Sequence, residues 1–310
     1  MSLSLSDLQR HNLDKVAVHV AAEFANDIPA IIESISPECV YPMLHRTEDG
    51  GMELEMITDL DGARAYYSQM RQGVDIIASR QIRRITTDWY VFNHSIATMR
   101  HTGLVGGVPG TGRDHLVQSS VLFPITEDGI LGEVPWNRHT WAELVQGVPE
   151  REARSADPIA VELRTIDAHD AYANALRSGD AEALAAVVVP DFRVAMRNYF
   201  VTGRGGTTAT ETAAAAAEDL RAMHAAVEVR ELVVLNRVAT EWFVFAEYLW
   251  RMRSRDRAVV DVEGDFDLKT AAIYPVDDRG RLVAELGYGT DLPLRAGRVP
   301  IAAGTAAARR

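Results

Sequence analysis

The chain has 310 residues, 47% of them hydrophobic and 25% charged, with a formal net charge of −12. That length suggests two domains, and that composition gives each enough apolar residues for a core. No run of Lys or Arg stands out in this acidic chain, which argues against a surface that neutralises nucleic-acid phosphates or lies on an anionic bilayer.

Residues 1–12 are mostly polar and lack a basic-then-apolar leader, and no stretch has the apolar length to span a bilayer. A cytoplasmic location is the expectation. The single cysteine, Cys39, excludes an intrachain disulfide and a thiolate metal cluster. Helical periodicity is expected over 13–24, 28–35 and 60–70. Strands are expected over 76–86, 89–101, 115–124 and 130–137, where Val, Ile, Phe, Tyr and Trp gather between turns. Gly103 to Gly112 joins two of these strands and lacks the Lys-Ser/Thr of a phosphate loop. The stretch 147–158, with two prolines and many charges, reads as a linker.

The same order then returns. Helices are expected over 161–176, from Asp180 to a stop at Pro190, and over 208–225, with a short strand at 192–196 between the second and third. The loop 203–206 before the last helix has the composition of a flexible lid. Strands are expected over 227–235, 241–253, 259–275 and 281–288. The segment Thr87-Asp88-Trp89-Tyr90-Val91-Phe92 recurs as Thr240-Glu241-Trp242-Phe243-Val244-Phe245, and 242 − 89 = 153. At that offset Asn26-Asp27 falls on Gly179-Asp180, and Pro37-Glu38 on Pro190-Asp191. Such landmarks in one order mark an internal duplication. The fold class is therefore α+β: two tandem cone-shaped barrel domains, 1–147 and 158–298, each with three helices on a curved antiparallel sheet. Residues 299–310 are expected to form a flexible tail.

The Asn26-Asp27 and Gly179-Asp180 turns, the paired Trp89 and Trp242 strands and the hairpins at Gly129 and Gly280 resemble the nuclear transport factor 2-like superfamily. It includes ketosteroid isomerase, scytalone dehydratase, limonene-epoxide hydrolase and the SnoaL-like polyketide cyclases. The resemblance implies an apolar pocket in each copy and cofactor-independent acid/base chemistry on a small hydrophobic or polyketide-like molecule. A non-catalytic binding or assembly role is the alternative. It also implies pairing through sheet faces, as an internal pseudo-dimer or a homodimer. The ketosteroid isomerase-like pattern has a phenol eight residues before the helix-turn Asp, which gives Tyr172 in copy two and His19 in copy one. Its two carboxylates are absent from the matching positions, near Met43 and Met196 and near Ser119-Ser120 and Thr270-Ala271.

Copy one holds the candidate chemistry. His19, His45 and His115 lie on elements expected to converge, and a His titrates near neutrality. They are the candidate catalytic residues. Tyr41, Asn93, His94 and Trp136 are the candidate ligand contacts in copy one, and Tyr172, Tyr248 and Trp250 those in copy two. If Asn93, Ser95 and Ala97 face inward, copy one has a polar, roomy cavity. Tyr248 and Trp250 would fill copy two. No residue set with metal-ligand spacing is evident, so neither a metal nor a cofactor is expected, and the expected partner is a small hydrophobic molecule.

Overall fold

The computed structural model describes residues 4–46, 51–105, 107–146, 157–197, 207–256 and 263–290. The expected tail, the lid-like loop at 203–206 and all but the last two residues of the expected linker lie outside them. The chain divides into two compact units, Met1–Ala153 and Arg154–Arg310, each a mixed α+β fold built from helices and a curved sheet.

The first unit opens with α1 (Leu5–Phe24) and α2 (Ile28–Glu33). Helix α1 starts eight residues earlier than its apolar periodicity suggests, because Ser4 and Asp7 form a reciprocal capping box. Asn12, Val16, His19 and Ala22 make its buried face. A hairpin of β1 (Tyr41–Arg46) and β2 (Met52–Ile57) follows, then α3 (Leu60–Gly73). The sheet is β3 (Val74–Thr86), β4 (Tyr90–His101), β5 (Asp114–Thr126) and β6 (Gly129–Ile130), with β7 (Val134–Asn137) also paired to β5. Helix α4 (Trp141–Gln146) closes the unit.

The second unit repeats the plan as α5 (Pro158–Ser178), α6 (Ala181–Val187), β8 (Val188–Arg197), β9 (Thr207–Thr210) and α7 (Ala213–Ala226), then β10 (Val227–Ala239), β11 (Phe243–Ser254), β12 (Asp265–Pro275) and β13 (Leu282–Gly289). Its sheet runs β10-β11-β12-β13-β8-β9, and β13 pairs with β8 in parallel, so this sheet is mixed rather than purely antiparallel. The third helix starts later than expected. Thr207–Thr210, rich in β-branched residues, pairs with β8 instead, and Thr212 caps α7 by accepting from the Ala215 N–H.

The duplication extends to irregularities. Strand β3 skips register at Ile77 and Ile82, and β10 at Arg230 and Leu235, each pair 153 residues apart. Each bulge bends its strand, which curves the sheet over the helices. The first helix of each unit also ends at a left-handed residue followed by an Asp that caps the second helix. Asn26 has φ 54° and Gly179 has φ 74°. Asp27 accepts from the Ala30 N–H, and Asp180 from those of Glu182 and Ala183. A Cβ on Gly179 would meet the His224 ring at 2.7 Å in a backbone conformation that disfavours side chains. Gly179→Ala should therefore cost about 1–2 kcal/mol, read as a lowered melting temperature of the second unit. An unchanged melting profile would show that the turn relaxes freely.

Candidate active site

A cavity of about 500 Å³ lies in the first unit between α1, α3 and the inner face of the sheet. That is the size of a small-molecule site. Its helix side is Leu13, Val16, Val20, Glu23, Tyr67 and Met70, and its sheet side includes Asn93, Ser95, Ala97, Ser119 and Val121. The cavity exists because these strand residues are small. At the 153-residue offset, Ser95 and Ala97 correspond to Tyr248 and Trp250, which are fully buried in the second unit.

Glu133, between β6 and β7, is the centre of the polar groups. Its Oε1 lies 2.7 Å from His19 Nε2 and also accepts the Tyr67 hydroxyl. The proton inventory follows from Ser34. The Ser34 hydroxyl donates to the Ile31 carbonyl at 2.6 Å, so toward His19 Nδ1, 2.7 Å away, its oxygen can only accept. Nδ1 therefore carries a hydrogen. The short contact from Nε2 to Glu133 then needs a second proton between them, making the pair an imidazolium and a carboxylate. The His19 side chain is fully buried and that of Glu133 only 8% exposed. Burial alone would push His19 down, but the hydrogen bond and charge of Glu133 outweigh it and hold His19 above its ordinary value. Burial and the nearby carboxylates hold the Tyr67 hydroxyl well above its usual range, so it stays a donor.

Glu23 is one helical turn past His19 on the same face of α1, with its side chain 15% exposed on the cavity wall. Burial, and next the Glu133 charge, push Glu23 up to about 7, against the opposing pull of His19 and Arg71. Glu23 thus binds its proton more tightly in the folded protein than in the unfolded chain. Its contribution to stability is complete below the ordinary carboxylate range and is lost as pH rises through about 7. His19, also raised, acts in the same direction. Hydrogen exchange of β4 amides, which reads the stability of this unit alone, should show a loss of order 2–3 kcal/mol between pH 5 and 8. Glu23→Gln should flatten that slope. An equal slope in the variant would remove Glu23 as its source.

Ligand atoms of His19, Glu23 and Glu133 all lie within 4.8 Å of one another. The 2.7 Å approach of His19 to Glu133 is closer than two ligands of one zinc ion stand, roughly 3 Å or more, and fits a shared proton.

The other candidates are distributed differently. His19 stands behind Glu133 rather than among the residues lining the cavity. His115 shares its strand face with Ser119 and Val121 but sits at the far end of β5, its ring 6.3 Å from that of His101, and does not line the cavity. His94 alternates with Asn93 and so takes the opposite face of β4. Tyr41 is fully buried and packs edge-on against Tyr67 instead of facing the cavity. Asn93 does line it and accepts from Arg84 Nε at 2.8 Å. His45 and Trp136 line a second, neighbouring cavity of about 630 Å³, where His45 is 3.1 Å from Glu55 and the Arg46 guanidinium lies 4.8 Å above the Trp136 ring. Tyr66, Met70, Pro135 and Asn137 line both cavities.

The second unit keeps the carboxylate and surrounds it with phenols. Glu285 corresponds to Glu133 and accepts from Tyr172 at 2.7 Å and Tyr274 at 2.8 Å. Burial raises Glu285 despite both donors. Burial, and next the Arg237 charge, drop His169 to about 4, so it is neutral, and its Nε2 shares a hydrogen bond with the Tyr248 hydroxyl at 2.8 Å. Trp250 Nε1 donates to Thr270 Oγ1 at 2.9 Å. Tyr172, Tyr248 and Trp250 are thus buried residues whose polar groups meet Glu285, His169 and Thr270 inside the unit.

No protein-family model and no curated protein matches the sequence. Solved structures do. An LEH-like epoxide hydrolase of M. tuberculosis is 18% identical with a TM-score of 0.35, covering 44% of this chain and 90% of that one. A Jannaschia sp. CCS1 protein assigned as a SnoaL-like polyketide cyclase is 14% identical with a TM-score of 0.36, covering 44% and 91%. An NTF2-like protein of Burkholderia xenovorans LB400 is 11% identical with a TM-score of 0.31, covering 44% and 92%. Each spans less than half of this chain and nearly all of its own. The chemistry rests on the side chains described above. Among the described residues no helix is long and apolar enough to cross a membrane.

Proposed function

We propose that the first unit is a cofactor-independent acid/base catalyst for a small, mostly apolar or polyketide-like molecule, with Glu133 as base and Glu23 as acid. One observation carries this: two carboxyl groups on one cavity wall stand in environments that separate their roles. Glu133 accepts hydrogen bonds from an imidazolium and a phenol through Oε1, leaving Oε2 to take a proton. Glu23, pushed up to about 7, holds a proton that it can give. His19 and Tyr67 position and charge the base, and Asn93 offers its amide N–H groups to the ligand. One carboxyl oxygen of Glu23 and one of Glu133 lie within 4.8 Å of each other, which leaves little room for a water between the two groups. That spacing favours moving a proton within one substrate, as in isomerisation or dehydration, over hydrolysis. The second unit, with aromatic side chains where the first has its cavity, serves as a structural partner.

The test is a panel of cyclic enones, β-hydroxy ketones and epoxides incubated with the protein, with products followed by mass spectrometry. Turnover of an enone or a β-hydroxy ketone, lost in both Glu133→Gln and Glu23→Gln, is the expected result. Binding without product across the panel would instead establish a carrier. Turnover confined to epoxides would overturn the preference for proton transfer.

A further inference from the structure

Arg71 lies in the last turn of α3, with its side chain only 4% exposed. Its Nε and Nη2 have no hydrogen-bond partner among the described residues. Those two groups form the planar edge that grips a carboxylate with two parallel hydrogen bonds. A buried guanidinium with that edge unfilled is costly, so an acceptor should be near. The Glu23 carboxyl is near but not engaged, with Oε1 at 3.9 Å from Nη2. Arg71 is not among the residues lining either cavity, so it does not meet the ligand.

We propose that Arg71 is a positioning residue that receives the Glu23 carboxylate once Glu23 has given its proton away. The inference rests on Glu23 being the acid of the proposed reaction. Every charged or titratable group facing Glu23 favours the movement or leaves it open. From α1, His19 is already committed to Glu133. From α3, Tyr66 and Tyr67 are neutral phenols and Arg71 is a cation. From the segment before β7, Glu133 repels a second carboxylate. While Glu23 is protonated, little draws it to the guanidinium, and its O–H remains directed at the cavity. When the proton passes to the substrate, the bonding pair stays on the Glu23 oxygen. Repulsion from Glu133 and attraction to Arg71 then point the same way, and rotation of the side chain closes the gap. Reprotonation from the product side or from solvent releases it.

The movement can be read without a substrate. In full-length protein labelled with 13C at Glu carboxyls, the Glu23 signal is identified by its loss in Glu23→Gln and titrated. In Arg71→Met its midpoint should rise by about one pH unit or more, because the receiving charge is gone. Arg71→Lys should restore most of the difference. The Arg71 Nε–H proton resonance should also move downfield as Glu23 ionises, and stay fixed in Glu23→Gln. A folded Arg71→Met protein with an unmoved midpoint would overturn the proposal. If that variant fails to fold, the Arg71→Lys titration and the Nε–H signal of the unmodified protein decide it, and a signal indifferent to Glu23 ionisation sinks it. Because neither readout needs turnover, this inference and the acid/base reading fail separately.

Discussion

Glu133→Ala should destabilise the first unit by about 3–5 kcal/mol at pH 6, the cost of removing one partner from a buried charge pair. His19 would keep its Nδ1 bond to Ser34 but lose the acceptor of its second proton, and the Tyr67 hydroxyl would lose its acceptor as well. The imidazole can respond by releasing that proton, so the cost should shrink as pH rises. Glu133→Gln keeps the shape and isolates the charge. There, burial and the Arg71 charge act on His19 against the Glu23 charge alone, and its titration should fall from its raised position. Turnover of any substrate found should drop by roughly 10²–10⁴, the usual worth of a positioned base. Hydrogen exchange in β4 and the His19 ring signals measure the first two effects independently of catalysis. A His19 midpoint unmoved in the Gln variant would show that Glu133 does not hold its proton.

Trp250→Ala should be comparably damaging to the second unit, at about 3–5 kcal/mol. The indole is completely buried on β11 and its N–H is satisfied by Thr270. Truncation removes apolar contacts, opens a void and strands the Thr270 hydroxyl. The void would fall where the first unit, with Ala97, has its cavity. Calorimetry should show one of two transitions lowered, since the units have separate cores. A dye such as anilinonaphthalene sulfonate would then gain a site in the second unit. A variant that melts like the unmodified protein would mean that neighbouring side chains collapse into the space.

The duplication, the helix order and the long strands were legible because they rest on periodicity and on landmarks that recur. The β1–β2 hairpin is not among the expected elements, although Met52, Leu54 and Met56 alternate with Glu53 and Glu55 in its second strand. The chemistry was half legible. His19 was found as the counterpart of Tyr172, and both do meet the carboxylate of their own unit. In the first unit that carboxylate lies between β6 and β7, not in the third long strand where the resemblance puts it. Yet Glu133 and Glu285 stand 152 residues apart, each within an apolar segment, and a buried acid that recurs in both copies is a signal. The four-residue spacing of His19 and Glu23, which places both on one side of α1, was another. Arg71 was not legible, since a basic residue in the last turn of a helix ordinarily complements the dipole from solvent. The positions of His94 and His115 needed the third dimension: one lies across the pleat from the cavity, the other beyond its end.

The matched bulges of β3 and β10 carry a hazard for synthesis. Two hairpins with kinks at the same spacing can exchange partners without a change of register, and a nascent chain offers the first copy's strands to the second. Tandem domains of like topology are prone to that misassembly. What separates them is volume: Tyr248 and Trp250 fill space that Ser95 and Ala97 leave open, and the small pair leaves a hole where the aromatic pair belongs. The difference in side-chain volume between the two units is thus expected also to favour the pairing of each half's own strands while it folds.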